Sequence, residues 1–183
     1  MSAVANSSPL IVFAKLNCFD LLRALYPQVY ISEEVHSEVV ISGAGLAGAS
    51  EVAKAEWIEV KRLKYHGELL ALQEKYALGI GELSTILLAR QIHADAVLLD
   101  DYNARKLAKA EGLQVQGSVG LLESLHLRGH LADLRATFRE LLTHAYVDQR
   151  LLDHRLRAWG SYLCRAGGAG FRVEFSAGPR FQF

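Results

Sequence analysis

A fully apolar run, AVLL at positions 96–99, ends abruptly at the paired acids Asp100 and Asp101. The run has no alternation of polar and apolar residues, which is typical of a strand whose two faces are both covered. Strands of this kind belong to parallel sheets with helices packed on both sides. The run therefore predicts an α/β domain built around a buried parallel sheet.

Short β-like runs alternate with helical runs along the rest of the chain. Further strands are predicted at 3–5, 29–31, 57–60 and 113–116, and the polar alternation of the third indicates the edge of the sheet. Helical patterns fall between the strands, and two more helices are predicted from 131 to about 159. The small, glycine-rich segment 42–50 indicates a loop.

The composition fits one globular domain with a sizeable core, since the chain has 183 residues and is 51% hydrophobic. Twenty Lys and Arg balance 20 Asp and Glu, so overall charge gives no attraction to nucleic acid, although a local basic patch is still compatible with it. Cys18 and Cys164 are too few for a disulfide framework and fit a reducing compartment. With no signal-peptide pattern and no apolar run of membrane-spanning length, the expected location is the cytoplasm, away from membranes.

Polar side chains follow several of the predicted strands, where open α/β sheets bind their ligands. Oxygen ligands of this kind suit Mg²⁺ or Mn²⁺ rather than zinc, and such an ion can activate a water and stabilise charge on a phosphoryl group. The set therefore points to phosphodiester hydrolysis. Its members are Asn6 with Ser7 and Ser8, Glu38, Glu82, Asp100 and Asp101.

Each of these residues also has a purely structural interpretation. Glu38 could belong to a solvated helix face, Glu82 could interact with a helix dipole, and Asp101 could cap a helix. Other catalytic patterns do not occur, since there is no HExxH, no GxSxG and no Lys-Ser/Thr after the glycines at 43–48. The acidic set is thus the only constellation in the sequence that predicts chemistry.

The residues, taken in order, resemble the PIN-domain family, and in particular its PIN-like branch of predicted nucleic-acid-binding and VapC-type toxin-like proteins. The resemblance extends over about residues 3–159. It rests on NSSPLI at 6–11, VYISEEV at 29–35 leading to Glu38, LGIGE at 78–82, LLDD at 98–101 with Ala104-Arg105, and GSVG at 117–120.

This resemblance implies a Rossmann-like three-layer α/β/α sandwich with a central parallel sheet, and a ribonuclease that depends on Mg²⁺ or Mn²⁺. The four acidic positions of the family fall on Asn6, Glu38, Glu82 and Asp101. Asp100 assists or replaces Asp101, and Ser8 falls where a small hydroxyl residue helps to arrange the site. A small antitoxin partner and a homodimer are also implied.

Two departures from the family pattern are visible in the sequence. Asn6 stands where active members have aspartate, and Ser84 stands where a second acid often follows Glu82. We therefore expect a PIN-like domain at 1–159 and an extension of unknown role at 160–183. The leading hypothesis is an endoribonuclease with catalytic Glu38, Glu82 and Asp101.

Two other functions fit the sequence less well. The first is a catalytically impaired PIN-like module that binds nucleic acid or protein, which the amide at Asn6 and the balanced charge favour. The second is a small-molecule phosphoryl-transfer enzyme on a similar fold. That class usually places a nucleophilic aspartate after the first strand, where this chain has Asn6.

Overall fold

A computed structural model describes residues 1–64, 66–145 and 147–166, and a sheet of five parallel strands lies at its centre. The strand order is β3-β2-β1-β4-β5, and every neighbouring pair is parallel. This confirms the predicted α/β fold with a central parallel sheet, including the edge position of the third strand. The strands are β1 (Ser2–Ala5), β2 (Gln28–Ser32), β3 (Ile58–Lys61), β4 (Ala96–Leu98) and β5 (Val115–Gln116).

Helices connect all successive strands. Between β1 and β3 lie α1 (Ser7–Lys15), a 3₁₀ turn (Phe19–Leu21), α2 (Leu22–Leu25), α3 (Glu33–His36), a π-helical segment (Ser37–Ser42) and α4 (Ala49–Lys54). After β3 follow α5 (His66–Lys75), α6 (Ile80–Ile92), α7 (Tyr102–Ala110), α8 (Ser118–Leu127), α9 (Leu134–His144) and α10 (Gln149–Ala166).

The helices form a layer on each side of the sheet. On one side, Val4, Val97 and Leu99 pack in a single core with apolar residues of α5, α6 and α7. Successive strand residues point to opposite faces, so the fully buried Leu98 faces the other layer. In that layer α8 contacts both α1 and α2. Burial of both faces explains why the run at 96–99 carries no polar residue.

The chain changes direction across the sheet between β1 and β4. From β1 it moves outward through β2 to β3, and then returns to place β4 on the opposite side of β1. In parallel sheets, such a switch point opens a crevice beyond the carboxyl ends of the two central strands. Asn6 follows one of these strands, and Asp100 follows the other after Leu99.

The described residues divide into two compact units, Met1–Ala132 and the part from Asp133 onward. In the second unit α9 packs against α10, and α10 continues past the predicted end at 159 to Ala166. Most of the predicted extension at 160–183 lies outside the described residues, as does the alternating run at 171–175. No helix in the described ranges is both long and apolar enough to cross a membrane.

Candidate functional site

Asn6 lies at the switch point of the sheet, and its side chain is 1% exposed. Its backbone N–H donates to the Leu98 carbonyl at 3.0 Å, which continues the pairing of β1 with β4 by one residue. Asn6 is also the residue before α1, but its side chain makes no capping hydrogen bond. Its amide oxygen instead lies 3.3 Å from the Ser7 hydroxyl oxygen.

Glu38 reaches this point from the helix that follows β2. It belongs to the π-helical segment Ser37–Ser42, a rare conformation that is frequent at functional sites. A Cβ atom at Gly43 would meet the Val39 carbonyl oxygen, so a glycine is required where the segment ends. The Ser7 hydroxyl group donates to Glu38 Oε1 at 3.0 Å, and this fixes the carboxylate beside Asn6.

Gly81 allows the side-chain oxygens of Asn6 and Glu38 to converge. A Cβ atom added at Gly81 would lie 2.8 Å from Glu38 Oε2 and 3.1 Å from Asn6 Oδ1. The next residue, Glu82, lies in the first turn of α6. The glycine in the motif LGIGE thus makes room for oxygen atoms that come from two other elements of the fold.

A cleft of about 440 Å³ contains both predicted acids of this region. Glu38 and Glu82 line it together with Glu34, and no Lys or Arg is among its described lining residues. Glu34 is not among the site residues predicted from the sequence. Its spacing of four residues from Glu38 was the available signal, because residues at i and i+4 share one helix face.

Asp100 and Asp101 lie at the same edge of the sheet, but both bind helix N-termini. Asp100 accepts hydrogen bonds from the Ser118 backbone N–H at 2.7 Å and from the Ser118 hydroxyl group at 2.6 Å. Asp101 caps α7 by accepting from the Ala104 N–H at 2.7 Å. Neither aspartate lines the acidic cleft. Their predicted metal-binding role stays a prediction.

The two serines at the start of α1 differ in their surroundings. Ser7 is buried and links Asn6 to Glu38, whereas Ser8, the serine predicted to arrange the site, is half-buried one position further along. Ser84 is fully buried, and its hydroxyl oxygen lies 2.8 Å from that of Ser32. The residue two positions after Glu82 therefore faces the interior of the domain.

The oxygen-only donor set is chemically suited to Mg²⁺ or Mn²⁺. Such ions keep several waters and need only one or two carboxylates, a requirement that Glu38 and Glu82 meet with the amide oxygen of Asn6 nearby. Within the described ranges, no group of three or more His, Cys, Asp or Glu side chains is close enough to hold an ion as it stands. The fit is thus to a sparse, water-rich site.

Comparison with known proteins places this architecture in a family. The family model DUF3368, described as a PIN domain, matches residues 2–161. Among solved structures, a PilT N-terminus domain protein from the hyperthermophilic archaeon Sulfolobus solfataricus P2 is 20% identical, with a TM-score of 0.47, over 68% of this chain and 92% of that chain. No curated protein matches this chain. Since the family match spans most of the sequence, the chain belongs to the PIN-domain family, whose fold is generally that of metal-dependent nucleases.

Proposed function

We propose that this protein is an endoribonuclease that depends on Mg²⁺ or Mn²⁺ and hydrolyses RNA phosphodiester bonds, in the manner of a toxin. The observation that carries the proposal is the convergence of Glu38 Oε2 and Asn6 Oδ1 on Gly81, at the switch point of the sheet. Glu82 lines the same cleft as Glu38. An ion bound there would lower the pKa of a water and offset the charge that develops on the phosphate.

The side chains have distinct roles in this proposal. Glu38 and Glu82 hold the ion through carboxylate oxygens, and Asp101 supplies the third acid from the end of β4, assisted by Asp100. Asn6 orients a water or the phosphate through its amide group, which carries no charge. Ser7 keeps Glu38 in place through the 3.0 Å hydrogen bond to Oε1.

The proposal is tested by manganese titration followed by an RNA cleavage assay. Glu38→Gln, Glu82→Gln and Asp101→Asn each remove one charge with little change in shape, and asparagine retains the capping ability that Asp101 uses for α7. We expect each variant to lose saturable Mn²⁺ binding in calorimetry and detectable cleavage. Glu74→Gln, an exposed acid on α5, is the matched control and should behave as the native protein.

Cleavage that survives EDTA, or that persists in a clean preparation of Glu38→Gln, would exclude the proposed chemistry. Circular dichroism and thermal melting of each variant separate a loss of the site from a loss of the fold. Loss of cleavage in Glu38→Gln and Glu82→Gln but not in Asp101→Asn would restrict the site to the cleft acids and leave Asp101 as a helix cap.

A second candidate function is an RNA- or protein-binding module without cleavage. It is favoured by Asn6, which contributes no charge. It is also favoured because no three His, Cys, Asp or Glu side chains among the described residues form a group that could hold an ion. This module would bind RNA equally well in EDTA and in Mn²⁺, and would yield no cleavage products in either. The same two assays therefore distinguish the two functions.

The toxin-like assignment also includes partners. We propose that the protein forms a homodimer and that a small antitoxin protein inhibits it by binding at the acidic cleft. Light scattering on the purified chain tests the dimer. Relief of growth inhibition by co-expression of an adjacent small reading frame tests the antitoxin, and growth that is unaffected by this protein alone would contradict the toxin role.

A further inference from the structure

The outer face of α7 carries a strip formed by Tyr102, Lys106 and Lys109. These residues occupy positions i, i+4 and i+7, which fall on one face of an α-helix. The opposite face of the helix is anchored in the domain, since Ala104 and Ala108 are fully buried. The strip therefore has a fixed orientation toward solvent.

The exposure of the strip is unusual for its aromatic member. Tyr102 is 76% exposed, although tyrosine is usually intermediate in burial, and both lysines are exposed as well. No acidic residue occurs in Tyr102–Ala110, and neither lysine forms an ion pair with a described residue. Between Asp101 and Glu111, the segment therefore carries three cationic side chains and no acid.

The strip begins directly at the carboxyl edge of the sheet. Tyr102 follows Asp101, and the lysines extend away from this edge over about 10 Å of helix axis. Arg105 does not belong to the strip. It is half-buried, and its Nη1 would lie 3.6 Å from a Cβ atom at Gly117, in the turn that Asp100 also contacts.

We propose that this strip binds a single strand of RNA at the same edge of the sheet as the acidic cleft, with one base stacked on Tyr102 and backbone phosphates contacted by Lys106 and Lys109. An exposed ring beside a cationic track is the arrangement that binds single-stranded nucleic acid without sequence preference. A duplex would offer phosphates to the lysines but no free base face to the ring. The inference rests on the proposed function, because it locates on α7 a surface that holds the RNA substrate of that function.

Binding can be measured separately from cleavage. A fluorescein-labelled oligouridine is titrated with the full chain in EDTA, where a metal-dependent reaction cannot proceed, and anisotropy is recorded at several salt concentrations. We expect Tyr102→Ala to weaken binding about tenfold, and Tyr102→Phe to bind as the native protein because the ring is kept. The same RNA annealed to oligoadenosine should bind more weakly than the single strand.

The lysines are tested through the salt dependence of the same titration. Each lost contact with a single-strand phosphate lowers the slope of log K against log salt by about 0.7, so Lys106→Gln with Lys109→Gln should lower it by about 1.4. The matched control combines Lys54→Gln with Lys75→Gln, two exposed lysines in the last turns of α4 and α5. This control should leave the slope unchanged.

The proposed RNA-binding role of the strip would be wrong if the control pair lowered the salt-dependence slope as much as the lysine pair of the strip. It would also be wrong if Tyr102→Ala bound RNA with native affinity. If the native protein cleaves RNA while the strip variants bind RNA normally, the RNA-binding role of the strip is wrong and the ribonuclease assignment is kept. If the strip variants lose RNA binding but neither they nor the native protein cleave RNA, the RNA-binding role is kept and the ribonuclease assignment is wrong. If the native protein binds no RNA at all, the strip is wrong.

Discussion

The Ser7 hydroxyl group donates a hydrogen bond of 3.0 Å to Glu38 Oε1, which joins the first turn of α1 to the π-helical segment after β2. The same hydroxyl oxygen lies 3.3 Å from Asn6 Oδ1. One small side chain therefore contacts an amide that follows β1 and an acid in the π-helical segment. We expect the site to depend on this contact, because Glu38 lies at an exposed position and the Ser7 hydroxyl group fixes its carboxylate.

Replacement of Ser7 by alanine should weaken the site more than the fold. Residues that orient metal ligands typically contribute 10- to 100-fold to affinity or activity, so we expect Mn²⁺ affinity and cleavage to fall by about tenfold or more in Ser7→Ala. We expect the adjacent Ser8→Ala to have the smaller effect, because the hydroxyl group that donates to Glu38 belongs to Ser7. Calorimetry and a cleavage time course compare the two variants, and the reverse order of effects would assign the orienting role to Ser8.

Gly81→Ala should separate activity from stability. Alanine favours a helix over glycine by up to about 1 kcal/mol, but here its Cβ would lie 2.8 Å from Glu38 Oε2 and must displace that carboxylate. We expect a melting temperature close to the native value, because the gain in helix propensity is offset by the shift of the buried Asn6 Oδ1, 3.1 Å from the added Cβ. We also expect weaker Mn²⁺ binding and slower cleavage. Gly120→Ala is matched to it, since nothing lies within 4 Å of its added Cβ in α8. Native activity in both variants would show that the space at Gly81 is not used.

Asn6→Asp should make stability depend on metal. Asn6 is buried beside Glu38, so a second carboxylate there adds repulsion and desolvation in the absence of an ion. Without metal we expect a melting temperature below that of the native protein, and with Mn²⁺ an increase larger than the native protein shows. Differential scanning fluorimetry with EDTA or MnCl₂ measures both values. If Asn6→Asp changed the melting temperature by the same amount in EDTA and in MnCl₂, no ion would bind near residue 6.

Tyr26 should produce a loss of stability at alkaline pH. Burial raises the pKa of its hydroxyl group to about 12, and the group donates a hydrogen bond of 2.9 Å to Gln116 on β5. The folded state holds this proton more tightly than the unfolded state. The contribution of the Tyr26 hydroxyl group to stability is therefore complete below about pH 10 and is lost as the pH rises toward 12. The free energy of unfolding, measured with urea between pH 9 and about 12, should decrease less steeply with pH for Tyr26→Phe than for the native protein. Parallel curves for the two proteins would contradict this linkage.

Much of the fold could be predicted from local patterns in the sequence. The apolar run at 96–99 and the helical periods around it indicated a buried parallel sheet, because burial of both faces removes polar residues from a strand. Glu38 and Glu82 could be selected because they follow strand ends or open a helix at the expected edge. Those patterns extend over a few residues, and a single sequence contains them completely.

The arrangement within the site required the tertiary structure. Ser7 and Glu38 are 31 residues apart, and no local pattern states that their side chains meet. The same is true of Gly81, which admits oxygens from two other elements, and of Asp100, which binds the N-terminus of α8 eighteen residues later. The sequence by itself determined which elements form and which acids stand at their ends. Only the packing of the helices on the sheet decided which of those oxygens share a cleft, because that depends on directions and distances between segments that are remote along the chain.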